Sequence, residues 1–332
     1  MEIGSFIELQ FPCGKEYYSD KKFCGMDVVR LNSGRCAIYH ACTVLECDTA
    51  WLPFYQCETV RSFLLKKGIK VKYYHIDKDF NPIDINQGPC ECVVLVNYFG
   101  IMSKTRMTLL ANNYKNVIID NSQAFFAEPI EECINVYSAR KFVGVPDGAY
   151  VIGDDATKCS KSYEQGYSSD TASFMLSRIE YGCEGKTYKM RTENEERIDR
   201  EDVRLMSKLT HTILDGTDYG SIIQKRKENF EFVKSELECI NKLSVDAYLS
   251  DDCVPMVYPL VVEDECLLSF LIANKHFQGR WWKYVLGEVS PACFEYYLSR
   301  YMIPITIDQR YGKAELLELC EKINFYVRNG NL

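Results

Sequence analysis

The sequence predicts an α/β protein with a mostly parallel central sheet and a smaller α/β domain at its C-terminal end. Three observations predict it. Strand and helix patterns alternate from residue 49 to residue 119, as they do where helices carry the chain between parallel strands. Two runs, Val93-Val94-Leu95-Val96 and Val117-Ile118-Ile119, contain no polar residue, which suits strands buried on both faces. Polar residues then follow those runs, Asn97 and Asp120, at the strand ends where such sheets bind ligands.

Residues 1–24 mix Gly, Pro and Tyr-Tyr and read as an arm or short hairpin. Leu31-Asn32-Ser33-Gly34-Arg35 opens a helix that continues through Cys36–Cys42; Ser is a favoured N-cap. Thr49–Leu52 is a short strand ending at Pro53, and Glu58–Lys67 an amphipathic helix stopped by Gly68. Lys70–Tyr74 alternates as a strand, and a helix follows the first apolar run from about Lys104 to Asn112. Residues 156–200 are polar and charged with few strand signals. Long helices are expected from about Arg200 to Leu214 and from about Tyr219 to Leu237. Val254–Val262 reads as a strand, and Leu267–Lys275 and Lys313–Val327 as helices. The expected organisation is an N-terminal arm over 1–24, a large domain over 25–215 and a small C-terminal domain over 216–332.

The 332 residues, 47% of them hydrophobic, suffice for a large core. A net charge of −8 argues against a nucleic-acid surface. No apolar run is long enough to span a membrane, and the start Met1-Glu2-Ile3-Gly4-Ser5 lacks the features of a signal peptide. The sixteen cysteines are scattered without a Cys-x-x-Cys, and only four histidines accompany them. Reduced thiols in a cytoplasmic protein, with no metal ligand set, are the expectation.

Asp120 and Lys141 carry the most chemistry. They lie 21 residues apart in Ile118-Ile119-Asp120-Asn121-Ser122-Gln123-Ala124 and Tyr137-Ser138-Ala139-Arg140-Lys141, each at a strand end. An acid and an amine so placed can hold a pyridoxal ring. The amine forms a Schiff base with the aldehyde, and the carboxylate keeps the ring nitrogen protonated. An Asp at a strand end also organises turns. Gln123 can hydrogen-bond the ring hydroxyl. Ser33-Gly34-Arg35 at a helix start suits a phosphate, because free N–H groups and the positive end of the dipole meet there. Ser138 can add a hydroxyl to the same group. Pro53-Phe54-Tyr55-Gln56-Cys57 supplies aromatic candidates, Tyr55 among them, for the open face of the ring.

Taken in order, these segments resemble the DegT/DnrJ/StrS family of sugar aminotransferases. Asn32-Ser33-Gly34-Arg35-Cys36-Ala37 is similar to the family's Ser-Gly-Thr-Ala phosphate turn, with Arg35 in place of Thr. Val96-Asn97-Tyr98-Phe99-Gly100 is similar to Val-His-x-Tyr-Gly, and Asp120-Asn121-Ser122-Gln123-Ala124 to Asp-Ala-Ala-Gln-Ala. Tyr137-Ser138-Ala139-Arg140-Lys141 resembles Phe-Ser-x-x-Lys, Asp147-Gly148-Ala149-Tyr150-Val151 stands at the Gly-Gly turn, and Arg204-Leu205-Met206-Ser207 and Ile303-Pro304-Ile305 resemble two later segments. Asp202 stands where the family commonly has an Asn that reaches the partner subunit's cofactor phosphate.

The resemblance implies a pyridoxal-phosphate-dependent transferase of fold type I acting as a homodimer. Lys141 would form the internal aldimine, Asp120 would meet the pyridine nitrogen, Gln123 would lie near the ring and Ser138 would touch phosphate. It further implies an amino-acid donor, glutamate, and a nucleotide-linked keto-sugar acceptor. A pyridoxal-phosphate enzyme with a non-sugar substrate and a non-catalytic relative that keeps the fold stay open. Arg204, Arg280 and Arg310 are candidate carboxylate clamps. A nicotinamide-binding oxidoreductase is disfavoured, because no Gly-x-Gly-x-x-Gly follows a strand.

Overall fold

The computed structural model describes residues 6–329. In chain order the elements are β1 (Lys22–Phe23), β2 (Met26–Leu31), α1 (Gly34–Val44), β3 (Thr49–Pro53), α2 (Glu58–Lys66), β4 (Lys70–Ile76), β5 (Pro82–Ile83), β6 (Glu91–Val96), α3 (Lys104–Ala111), β7 (Val117–Asn121), β8 (Ile134–Ser138) and β9 (Ala149–Gly153). There follow α4 (Ser173–Tyr181), α5 (Gly185–Arg200), α6 (Lys208–Asp215), α7 (Tyr219–Leu237), β10 (Val257–Val261), α8 (Leu267–Ala273), α9 (Phe294–Tyr301), β11 (Met302–Thr306) and α10 (Lys313–Asn329).

Nine strands form one sheet in the order β1-β2-β9-β8-β7-β6-β3-β4-β5. Its centre, β8-β7-β6-β3-β4, is parallel throughout. β9 runs antiparallel to both β8 and β2, so β2 points the same way as the parallel strands. The carboxyl ends of β2, β3, β6, β7 and β8 therefore share one edge. Every residue of β3, β6, β7 and β8 is buried. Burying side chains such as Ile118 and Ile119 stabilises by about 1.5–3 kcal/mol each.

One face of this sheet packs on α1 and α2 through Ile38, Phe63, Val94, Ile118 and Val136. The other packs, through Val93, Leu95 and Ile119, into a core continuous with Phe230, Tyr258, Ile303 and Leu316 of the C-terminal part. There β10 and β11 pair antiparallel, with α7 packed on β10, α9 on β11, and α10 against α7 and α8.

The arm expected over 1–24 falls partly outside the described residues, at 1–5. Its later part is anchored: Tyr18 is fully buried and its hydroxyl donates to Phe125 O at 2.5 Å. β1 and β2 form a hairpin across Cys24-Gly25, whose φ values of 51° and 83° are those a tight two-residue turn needs. The helix expected from Arg200 to Leu214 does not form as one piece. α5 ends at Arg200, and the chain then pairs with Leu31 and Gln165 through Leu205. The Leu205 N–H donates to Glu164 O and the Met206 N–H to Arg30 O, so sheet-like pairing takes donors a helix would need. Ser207 then caps α6, its Oγ accepting from Thr210 N. Among the described residues no helix is long and apolar enough to cross a membrane.

Candidate active site

The site is built at the shared carboxyl edge. Ile118 and Val136 pack on the α1 face. Side chains alternate along a strand, so Asp120 and Ser138, two residues on, project to that same face. α1 starts there too, with Ser33 in extended conformation as its N-cap (φ −153°, ψ 158°). The first N–H groups of a helix have no intrahelical acceptor, and here they open toward Ser122 and Ser138. Gly34 keeps the gap clear: a Cβ at this position would stand 3.2 Å from Ser122 Oγ and 4.0 Å from Ser138 Cβ.

Asp120 is 5% exposed and accepts one donor on each oxygen. The Ser122 N–H reaches Oδ1 at 3.0 Å, and Gln56 Nε2 reaches Oδ2 at 2.8 Å. Gln56 is buried, and its own Oε1 has no partner. Nothing in the sequence marks Gln56, because Pro53-Phe54-Tyr55-Gln56-Cys57 stands out for its aromatic side chains. Tyr55, the aromatic candidate of that segment, is fully buried between Tyr98 and Trp282, and burial holds its phenol strongly protonated. Of this segment it is Gln56, rather than Tyr55, that the structure joins to Asp120 by a hydrogen bond.

Lys141 ends a single helical turn, Ala139–Lys141, that follows Ser138 directly. Ala139 and Phe142 are buried, while the Lys141 side chain is exposed. The turn is tied down from behind. The Ala139 N–H donates to Gly148 O at 3.2 Å and the Gly148 N–H to Asn32 O at 2.8 Å, which joins the ends of β8 and β2. Gly148 has φ 120° and a Cβ there would meet Thr210 at 3.0 Å, so a side chain is excluded twice. Asp147 beside it accepts from Ser207 N at 2.9 Å and Ser207 Oγ at 2.7 Å.

Other expected site residues are already engaged. Gln123 Oε1 accepts from Phe99 N at 2.8 Å, bracing Phe99 in its left-handed conformation (φ 60°). Arg35 is buried and pairs with Asp199 on α5. Asp202 is bound by Lys67 Nζ at 2.6 Å. Its burial works against the charge, but that contact outweighs it and holds the carboxyl below its ordinary range. Of the candidate clamps, Arg310 pairs with Asp308 at 2.7 Å, Arg280 donates to Asp264 O at 2.7 Å, and Arg204 faces Glu164 at 3.8 Å.

No protein-family model and no curated protein matches the sequence. Solved structures do match it. The sugar aminotransferase CalS13 from Micromonospora echinospora has a TM-score of 0.62 at 15% identity, over 89% of this chain and 86% of that one. The S. venezuelae DesV structure, in complex with a ketimine intermediate, has a TM-score of 0.59 at 16% identity, over 90% and 84%. The fold is that of the sugar aminotransferases. A third structure with this fold, the putative sugar aminotransferase Spr1654 from Streptococcus pneumoniae in its PLP form, has a TM-score of 0.62 at 13% identity, over 90% and 86%. The α/β class with a mostly parallel sheet is thus observed, and the carboxyl edge bearing Asp120 and Ser138 is the edge at which such sheets take ligands.

Proposed function

We propose that this chain is a pyridoxal-phosphate-dependent aminotransferase that moves an amino group from an amino acid to a keto-sugar. The observation that carries the reading is the convergence on one face of the α1 N-terminus, Asp120 and Ser138, with the Lys141 turn following Ser138. The residues fit the cofactor. Gly34 leaves a cradle that a Cβ would crowd, lined by hydroxyls and by N–H groups suited to phosphate. Asp120 Oδ2 accepts from Gln56 Nε2, and Gln56 Oε1 is buried without a partner; the carboxylate is the acceptor for a protonated ring nitrogen. Each carboxylate oxygen accepts more than one hydrogen bond, so the Gln56 amide and a ring N–H can share Asp120.

Pyridoxal phosphate, when bound, supplies a sink for the electrons released at the donor's α-carbon. With the cofactor bound, Asp120 would keep the proton on the ring nitrogen, Ser33, Gly34 and Ser138 would hold the phosphate with Arg35, itself paired to Asp199, beside them, and Gln123, its Oε1 held by Phe99 N–H, would steady the ring edge through its amide nitrogen. Lys141 would supply the amine that bonds the aldehyde and the base for the donor's α-proton. Titrating the purified holoprotein with glutamate, glutamine and aspartate tests the reading, because a competent donor shifts the visible absorbance. A second titration with nucleotide-linked keto-sugars reads the return half-reaction. If no donor shifts the band while the cofactor stays bound, the non-catalytic alternative holds; the Gln56 amide on Asp120 is the observation in its favour. A shift with donors and no return with any sugar favours a non-sugar acceptor.

The same reading includes a homodimer. Lys141 is exposed in the single chain, and α4 buries none of its residues while presenting Leu176, Ile179 and Tyr181 to solvent; such apolar surface marks an interface. Light scattering checks it. The cofactor domain is taken as 25–215 and the smaller domain as 216–332. All sixteen cysteines are free thiols, which supports a reducing, cytoplasmic setting.

A further inference from the structure

A second cluster lies away from the Asp120 cradle, where β4, next to the short edge strand β5, meets α9. His75 is near the end of β4, Cys293 is the N-cap of α9, and Glu295 is in its first turn. The ligand atoms of the three, an imidazole nitrogen, a thiol sulfur and a carboxylate oxygen, all lie within 4.8 Å of one another. No sequence pattern announced them, since β4 and α9 are more than two hundred residues apart.

Glu295 is the informative member. It is 0% exposed, and both of its hydrogen bonds fall on one oxygen. The Ile76 N–H reaches Oε1 at 2.7 Å and His75 Nδ1 lies 3.1 Å from the same atom. Oε2 is buried with no partner. A carboxylate oxygen left bare in the interior carries an uncompensated desolvation cost. A cation removes that cost. In a tetrahedral site with bonds of about 2.0 Å to N and O and 2.3 Å to S, neighbouring ligand atoms stand roughly 3.3–3.6 Å apart. The His75 Nδ1–Glu295 Oε1 separation of 3.1 Å is close to that range, and Cys293 Sγ stands within 4.8 Å of both ligand atoms.

We infer that His75, Cys293 and Glu295 form a zinc site that staples α9 to β4 of the large sheet. A thiolate, an imidazole and a carboxylate select zinc over calcium or magnesium, which prefer all-oxygen shells. On binding, the Cys293 thiol proton leaves to solvent and the imidazole carries its remaining proton on Nε2, freeing Sγ and Nδ1 as donors. Three protein ligands leave a fourth position for water. The inference stands on this geometry alone and does not depend on the proposed aminotransferase activity.

The test uses the full chain, stripped with a chelator and titrated with cobalt(II) and then zinc. Wild type is expected to take up one cobalt per chain with a thiolate-to-cobalt charge-transfer band, and zinc should displace it. Cys293→Ser should lose that band. Glu295→Gln, which keeps the shape and the acceptor for Ile76 N–H, should weaken zinc binding by at least the roughly 10–100-fold that follows loss of an outer-shell partner. At equal zinc concentration the thermal midpoint of wild type should rise more than that of Glu295→Gln. The other fifteen cysteines are present in both Cys293→Ser and wild type, so cobalt spectra that coincide for the two overturn the site. Equal zinc affinity in wild type and Glu295→Gln overturns it as well.

Discussion

Asp120 and Glu295 are both buried carboxylates at the ends of elements, and each ties a distant segment to its own. Their oxygens are used differently. Asp120 takes one donor on each oxygen, from Ser122 and Gln56, and sits at the carboxyl edge of the sheet beside the α1 cradle. Glu295 takes both donors on Oε1 and leaves Oε2 bare. An acid whose oxygens the protein already satisfies can act on whatever arrives at the edge. One left half-satisfied in the interior needs its ligand as part of the structure. The first is read in turnover and the second in stability.

The largest effect expected is at the edge. Lys141→Ala should abolish the visible cofactor absorbance and lower amino transfer by at least about 10²-fold, the contribution of a positioned base. Asp120→Asn keeps the shape and removes the charge. It should cost about 10²–10³-fold in turnover, as loss of a preorganised electrostatic partner does, with the urea midpoint close to wild type. Turnover that survives Asp120→Asn would remove the distinction between the two acids. Glu295→Ala strands the Ile76 N–H and should cost about 1–3 kcal/mol of stability, read as a lower urea midpoint at unchanged slope.

Gly34→Ala gives an intermediate effect. The new methyl meets Ser122 Oγ at 3.2 Å, so it narrows the cradle without straining a left-handed backbone. Pyridoxal-phosphate affinity, measured by absorbance titration, should fall by about tenfold, or roughly 1.4 kcal/mol. Unchanged affinity would remove the phosphate from the α1 N-terminus.

The legible part of the molecule was its sheet. Val93–Val96 and Val117–Ile119 announce buried parallel strands by composition alone, and such strands carry Asp120 and Ser138 to a known edge. Lys141 was legible for the same reason, as the residue one turn past a strand end. Gln56 was not, because its reach to Asp120 depends on β3 lying two strands from β7, an order no local pattern encodes. The stretch 200–207 has a helical composition but is claimed by pairing with Leu31 and Gln165, a tertiary contact overriding propensity. His75 and Glu295 meet only because α9 packs on β4.

A third buried carboxylate sharpens the contrast by the smallest effect. Glu16 is satisfied by charge: Arg30 pairs with it, His211 Nδ1 lies 3.2 Å away and the Tyr150 hydroxyl donates at 2.9 Å. Burial works against its ionised form, yet the His211 hydrogen bond and the Arg30 charge together hold its carboxyl below the ordinary 4.5. A group whose acidity rises on folding stabilises the native state above its unfolded pKa and loses that contribution as the pH falls through the folded one. Glu16→Gln should therefore be less stable than wild type at neutral pH, with the gap narrowing from roughly pH 5 downwards. Urea unfolding of both proteins across that range measures the gap. If it stays constant, the Arg30 and His211 contacts do not stabilise the charge, and Glu16 belongs with Glu295 among the acids whose burial the surrounding residues leave uncompensated.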